Sequence, residues 1–512
     1  MSEDPIIIVG AGIGGLACAL RLAAAGHAVT VLERAQAPGG KMRQVNSAAG
    51  PVDAGPTVLT LRGVFDDLFA AAGERLDDHV TLQRQEVLAR HWWPDGSRLD
   101  LFADRARSVE SVRAFAGARA AREFAKFCET AERLYDAFEQ PMMQHPAPDL
   151  ATMTRRVMGR PGLIPLMAPH ATLAQALAKR FSDPRLAQLF GRYATYVGGS
   201  PYSAPALLSL IWRAEEGGVW SVDGGMHALA RAVADLAAAH GAVFRYGAEV
   251  AAIEAPGGTV RAVQLACGTR VPARAVVFNG DPLALSQGRL GADVAGAAPG
   301  PARAGRSLSA HVWSFAAVPG GPAAADLVHH NVFFTRDPDA EFRALEAGRV
   351  PEEATLYVCA EDRGGPCTAP ACERFEIIRN APPRAAAACD LSAEETPCPT
   401  SPFPTLARSG LSFDPVPAPE TMTGPAGFAA LFPGSAGSLY GQSPHGLTAA
   451  FQRPTARTPL AGLYLAGGGT HPGAGVPMAA LSGRHAAAAM LSDLASPSPS
   501  RRTATRGGMS TA

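Results

Sequence analysis

The stretch Ile6-Ile-Ile-Val-Gly10-Ala-Gly12-Ile-Gly14-Gly15-Leu-Ala-Cys-Ala-Leu20, continued to Leu32-Glu33-Arg34, decides how this chain folds. Four β-branched residues, Ile6 to Val9, read as a short strand buried on both faces. Gly10, Gly12 and Gly15 then form Gly-x-Gly-x-x-Gly as the chain turns into a helix. In such a turn the first glycine permits the bend and the second lets a pyrophosphate approach the backbone. The third lets helix and strand pack closely, and the helix N-terminus faces the phosphates. The helix runs through alanines and leucines to Gly26, a C-cap. His27 to Leu32 is a second strand, and Glu33 follows 18 residues after Gly15. An acidic group at that place accepts hydrogen bonds from the ribose hydroxyls of an adenine dinucleotide.

Composition narrows the class. The chain has 512 residues, long enough for two or more domains or for one fold with a large insertion. Only 18% of residues are charged, below the usual ~25% of soluble domains. Forty-six basic residues balance 46 acidic ones, which argues against a nucleic-acid partner and allows association with something apolar. The dinucleotide motif starts within ten residues of Met1, so no signal peptide is read. The longest uncharged apolar candidate, 307–325, is interrupted by Pro319, Gly320, Gly321 and Pro322, so no spanning helix is expected. The expectation is a cytoplasmic protein, at most peripherally bound to a membrane. The eight cysteines form no Cys-x-x-Cys, and their spacing matches no zinc or iron–sulfur pattern. No metal is expected.

Two further glycine-rich segments follow the opening motif. Ala37-Pro-Gly39-Gly40-Lys41-Met42-Arg43 and Val52-Asp53-Ala-Gly55-Pro56-Thr57-Val58 cannot be regular helix. Backbone N–H groups freed by consecutive glycines can face a phosphate, with Lys41 or Arg43 supplying positive charge. Near the other end, an apolar strand around Leu463-Tyr-Leu465 runs into Gly467-Gly-Gly469-Thr-His471-Pro-Gly-Ala-Gly475-Val476 and then a helix over 477–491. That helix N-terminus is a second place for a phosphate or a flavin ring edge.

Between these ends the pattern changes. From about 62 to 222 helical periodicity dominates, including a helix over 120–138. The segment 151–192 carries seven basic residues, from Arg155 to Arg192, against one acid, Asp183, with Met158, Ile164 and Met167 interleaved. Basic and apolar together, in a neutral protein, suggest contact with an anionic membrane surface. A solvated helix pair with a basic face is the alternative. Val222-Asp223-Gly224-Gly225-Met226 leads into a helix over 227–240, and 241–250 reads as strand, turn and strand. Residues 259–265 and 271–278 alternate as strands ending at Asn279-Gly-Asp281, while 355–359 and 374–378 suggest an inserted antiparallel sheet. The tail from Ser496 reads as disordered.

With these segments in hand, the chain resembles the flavin-dependent carotenoid desaturases of the bacterial phytoene-desaturase type, within the wider flavin amine oxidase and disulfide-reductase-like superfamily. Gly10 to Gly15 with Glu33, Pro38 to Lys41, Asp53 to Thr57, Val222 to Met226, Asn279 to Asp281 and Gly468 to Gly475 carry the likeness, in the family's order. Tyr193-Ala-Thr-Tyr196-Val-Gly-Gly-Ser200-Pro-Tyr and the stretch around Trp220 look most like members that act on 1-hydroxycarotenoids. Lys41 departs from the arginine many relatives carry after the Gly-Gly pair. Its charge is kept, but the bidentate fork is lost.

The resemblance implies FAD as cofactor and an α/β fold, with a Rossmann-like FAD-binding domain, an inserted α+β substrate domain and a helical membrane-associating region. FAD also agrees with the single Gly-x-Gly-x-x-Gly unit, because pyridine-nucleotide disulfide reductases need two. The implied organisation is discontinuous: 1–75, 222–285 and 456–495 bind FAD, 76–221 is helical and faces substrate and membrane, 286–455 holds the substrate-domain sheet, and 496–512 is a tail. Implied cofactor contacts are Gly10, Gly12, Gly14, Gly15, Glu33, Lys41, Thr57, Val58, Val250 (through its backbone), Asn279, Leu308, Gly468, Gly475 and Val476. The implied reaction introduces the C3–C4 double bond of a 1-hydroxycarotenoid, with oxygen, a quinone or another carrier taking the electrons. No catalytic side chain is assigned; His471 and Asp223 are weighed as base and as turn residue. Alternatives are a phytoene desaturase or carotene isomerase, which share the motifs, a flavin amine oxidase, and a non-enzymatic prenyl-lipid carrier, which shares the fold with degraded motifs.

Overall fold

The computed structural model describes residues 4–384 and 401–495. Strand Ile6–Val9 is the centre of a five-stranded parallel sheet, flanked by Val29–Leu32 and then Val243–Arg245 on one side, and by Ala275–Phe278 and then Leu463–Leu465 on the other. Ile7 and Ile8 are fully buried, as a strand covered on both faces requires. Helices Ile13–Ala24, Met226–Ala239 and Val476–Ala495 pack together over the sheet, and their alanine-rich faces allow that packing. Gly26, at φ +84°, ends the first helix as a glycine with no Cβ penalty can.

Some expected strands are divided. The 241–250 stretch gives Val243–Arg245 and a turn, and Val250 opens the next strand, Val250–Glu254, rather than ending one. Residues 271–278 split into Arg270–Pro272, which closes a three-stranded antiparallel sheet with Val250–Glu254 and Ala262–Leu265, and Ala275–Phe278, which enters the parallel sheet. Arg270–Pro272 is largely exposed, whereas Ala275–Phe278 is apolar and buried at every residue, as a strand covered on both faces of the parallel sheet requires.

A second, eight-stranded sheet is built on Ser309–Gly320, Glu373–Ala381, Leu356–Ala360 and His330–Phe333, paired antiparallel in that order. It is extended by Val87–Trp92 and Arg98–Phe102, strands lying within the span expected to be helical. His330–Phe333 and Val87–Trp92 run parallel, so the sheet is mixed rather than purely antiparallel. The remainder of 105–216 is mainly helical. The expected helix over 120–138 starts earlier, at Arg105, where the Asp104 carboxylate accepts from Ala106 N–H at 2.8 Å. Gly117, at φ +88°, breaks it. The tail from Ser496 lies outside the described residues.

The first and last helices approach so closely that their contact depends on missing side chains. A Cβ on Gly483 would lie 2.1 Å from the carbonyl oxygen of Gly14. Because backbone cannot yield as a flexible side chain can, Gly483→Ala is expected to destabilise the fold by about 1–3 kcal/mol, measured by denaturant unfolding.

Candidate functional site

Three glycine loops meet above the carboxyl edge of the parallel sheet. Gly39 N–H donates to Ala11 O at 2.9 Å, and a Cβ on Gly40 would stand 3.1 Å from Gly12 Cα. A Cβ on Gly14 would stand 2.7 Å from the amide nitrogen of Gly467. Asn279 ties the first loop to the sheet, its Nδ2 donating to Gly10 O at 3.1 Å and Gly12 O at 3.2 Å. Gly14 and Gly15 must be glycines on packing grounds alone, because Asn279, Gly10 O and the last helix crowd them. Asn279 likewise shapes the turn. Gly468 and Gly475 differ, since a Cβ on either would meet nothing within 4 Å. They border open space, and Val476 begins the helix behind them.

Glu33 is buried at the end of its strand. Its carboxylate accepts from Ala11 N–H at 2.7 Å and from Ala35 N–H at 2.8 Å. Beside it, Ala248 N–H donates to Glu33 O, which brings Val250 to the same edge. The Leu308 side chain packs with Phe342 and Leu345, its N–H donates to Gly198 O, and its carbonyl accepts from Leu439 N–H, the residue whose own carbonyl accepts from Lys41.

Lys41 is the unexpected feature. Its ammonium is buried, donates to Leu439 O and lies over the Phe432 ring. Burial pushes its pKa down to about 8, with Asp281 pulling upward and Arg306 and Arg453 pushing further down. Arg306 is paired with Asp281. Arg453 donates to Gly468 O at 2.9 Å and to Tyr440 O at 3.0 Å. Three buried cations thus share one carboxylate, a surplus of positive charge against the glycine loops. Sequence reasoning missed Arg306 and Arg453 because each lies alone in an unremarkable run, and only the fold brings them together.

The loops, the acidic residue at the second strand and the surplus charge fit a dinucleotide. Open space at Gly468 and Gly475, Glu33 at the ribose end, and uncompensated cations are what a flavin dinucleotide pyrophosphate needs.

Beyond Thr57 the lining becomes a polar wall. Thr57 Oγ1 shares a hydrogen bond of 2.7 Å with Tyr357 OH, which lies 2.6 Å from His330 Nδ1. On facing elements Arg192 donates to Tyr196 OH at 2.9 Å, while Tyr193 and Tyr196 donate to the two Glu215 oxygens at 2.8 and 2.7 Å. Arg192 therefore belongs to the interior, and Arg185 to Asp183, so the basic run of 151–192 is not one surface. Thr57 also borders a cavity of about 100 Å3 lined by Asp53, Gly224, Gly225, His329, Cys359, Glu361 and Arg374. Asp53 accepts from Met226 N–H at 2.5 Å and caps that helix, and Asp223 is exposed in the turn before it. His471 is buried and pairs through Nε2 with His145 O at 2.9 Å, a structural tie between the last glycine loop and the helical region.

The chain matches the model of the flavin containing amine oxidoreductases over 13–307 and 428–491, and it belongs to that family of FAD-dependent oxidoreductases. It is 56% identical over 491 residues to hydroxyneurosporene desaturase of Cereibacter sphaeroides, covering 96% of this chain and 98% of that protein. To hydroxyneurosporene desaturase of Rhodobacter capsulatus it is 51% identical over 492 residues, with the same coverage. An oxidoreductase structure from Methanosarcina mazei shares the fold, with a TM-score of 0.61 at 16% identity over 95% of this chain and all of that one.

Burial, then repulsion from Asp53, pushes the Glu361 carboxyl up to about 8. Between the ordinary glutamate range and pH 8 the unfolded chain releases a proton that the folded chain retains, so stability falls as pH rises through that window. Glu361→Gln, permanently neutral, is expected to match the wild type in thermal unfolding near about pH 5 and to exceed it near about pH 8.

Proposed function

We propose that this chain is an FAD-dependent desaturase that introduces the C3–C4 double bond of a 1-hydroxycarotenoid such as 1-hydroxyneurosporene. The observation carrying this reading is near-complete coverage of the hydroxyneurosporene desaturases at half identity or better, with every glycine loop intact. Intact loops weigh against a carrier that has lost its cofactor.

FAD, when bound, supplies the two-electron acceptor for the C3–C4 bond. In this reading Gly10, Gly12, Gly468 and Gly475 give the backbone cradle for the pyrophosphate and ribityl chain, and Glu33 exchanges an amide partner for the ribose hydroxyls. Lys41, Arg306 and Arg453 neutralise the anionic cofactor, Thr57, Val58 and Val476 border the ring, and Val250 offers backbone to the adenine. The FAD-binding portion is 1–75, 222–285 and 456–495, with 76–102 contributing strands to the substrate sheet. Charge developing beside a conjugated chain is delocalised along it, so a strong side-chain base is not required. Oxygen or a quinone receives the electrons.

The hydrocarbon substrate resides in membranes, and this chain has a surface suited to reach them. No helix among the described residues is long and apolar enough to cross a bilayer. Leu150, Met158 and Ile164 are exposed, Met158 by 66%, alongside exposed Arg155, Arg156 and Arg160. Apolar side chains ringed by arginines bind anionic lipid surfaces. Replacing Met158 and Ile164 together by Glu is expected to lower cosedimentation with anionic liposomes by about ten-fold, leaving flavin content unchanged.

FAD-loaded protein in liposomes, offered 1-hydroxyneurosporene and phytoene separately with several electron acceptors, tests the activity. A red-shifted absorption spectrum with the hydroxylated carotenoid alone is expected. Conversion of phytoene instead would assign the chain to the early desaturases.

A further inference from the structure

In the desaturase reading a polyene lies beyond Thr57, yet the side chains there form a buried ionic and phenolic network. Tyr196 and Tyr357 lie deep in the molecule and still keep accessible surface, so both border an internal space rather than solid core. They pack, with Val58, against the same apolar cluster, which includes Trp212, Val332 and Phe334. Apolar walls suit a hydrocarbon. A buried arginine, a buried glutamate and two phenols do not, because burying charge is costly unless the groups have a polar use.

The network is also incompletely satisfied. Arg192 Nε and His330 Nε2 are buried without a hydrogen-bond partner. Tyr196 and Tyr357 pack on one apolar cluster, which brings the two halves together; burial, then His329 and Arg192, lowers the affinity of His330 for a proton. The inner end of the network is fixed by Thr57, on the segment that follows the second glycine loop. In the reading that places Thr57 at the flavin ring, this polar wall sits beside the cofactor.

Substrate chemistry explains that position. In a 1-hydroxycarotenoid the hydroxyl carbon is separated from the C3–C4 bond by a single methylene. Whatever binds the hydroxyl must then stand next to the group that oxidises C3–C4. We propose that the tertiary hydroxyl of the substrate is held between Tyr196 and Tyr357, with Arg192, Glu215 and His330 as positioning residues that orient the two phenols. This inference rests on the 1-hydroxycarotenoid desaturase reading and assigns its specificity. A site built to hydrogen-bond a hydroxyl rejects the analogue lacking it, because its own buried polar groups are left unpaired. The hydroxyl also fixes register along an otherwise featureless chain, bringing C3–C4 and not an inner bond to the flavin.

The test compares kcat/KM for 1-hydroxyneurosporene and for neurosporene in wild type, Tyr357→Phe and Tyr196→Phe, each loaded with FAD. Both substitutions keep the ring and remove only the oxygen. The ratio favouring the hydroxylated substrate is expected to fall by about ten-fold or more in each variant, with flavin content and visible spectrum unchanged. A ratio within two-fold of wild type in flavin-loaded variants overturns the assignment while leaving the desaturase reading intact. Failure of wild type to turn over 1-hydroxyneurosporene overturns that reading and this one together. A measurement on wild type alone guards against variants that lose flavin: a short 2-methylalkan-2-ol, which carries the same tertiary alcohol, is expected to inhibit at least about ten-fold more strongly than the matching 2-methylalkane. Equal inhibition overturns the assignment.

Discussion

The structure depends on one backbone constraint, the approach of three loops without side chains at the carboxyl edge of the parallel sheet. Gly12, Gly40 and Gly467 stand where any Cβ would separate them from a neighbouring loop or from Asn279. Asn279 makes that approach rigid by satisfying the Gly10 and Gly12 carbonyls, which the turn leaves without strand partners. Around this knot are placed buried cations that would be costly alone. Lys41, Arg306 and Arg453 share Asp281, and their surplus charge has a use only if an anion arrives. Fold and cofactor chemistry are therefore one problem, solved at one edge.

Much of this edge was legible in the sequence because it is written in local pattern. Ile6 to Val9, the glycines and Glu33 are contiguous, and strand, turn and helix follow from a few residues each. The last glycine loop was legible for the same reason. What the sequence concealed depends on partners distant in the chain. Nothing local to Val87–Trp92 distinguishes it from the amphipathic helices around it, and its place in a sheet comes from pairing with His330–Phe333. Arg192 looked like one more basic surface residue and is buried because Tyr196 and Glu215 converge on it. The packing of Leu308 on Phe342 likewise joins segments distant in the chain.

The helical region and the second sheet meet in a division of labour. Aromatic packing of Phe124, Phe127, Phe190 and Trp212 gives the helical side a stiff interior. On its surface Met158 and Ile164 remain uncovered, and at its inner face Tyr193 and Tyr196 turn polar. The same segment thus passes from lipid-like to hydrogen-bonding over its thickness, a gradient suited to a long molecule with one polar end.

The order of strands has a consequence for how the protein folds. Strand Ile6–Val9 lies at the centre of the parallel sheet, and the outermost strand on one side, Leu463–Leu465, is some 450 residues away in the sequence. On that side the opening strand pairs with Ala275–Phe278, some 270 residues along the chain, and Leu463–Leu465 then adds to Ala275–Phe278, separations that place both pairings among the slow steps of folding. The last glycine loop, which follows Leu463–Leu465, therefore joins the cradle only once that long-range pairing has formed.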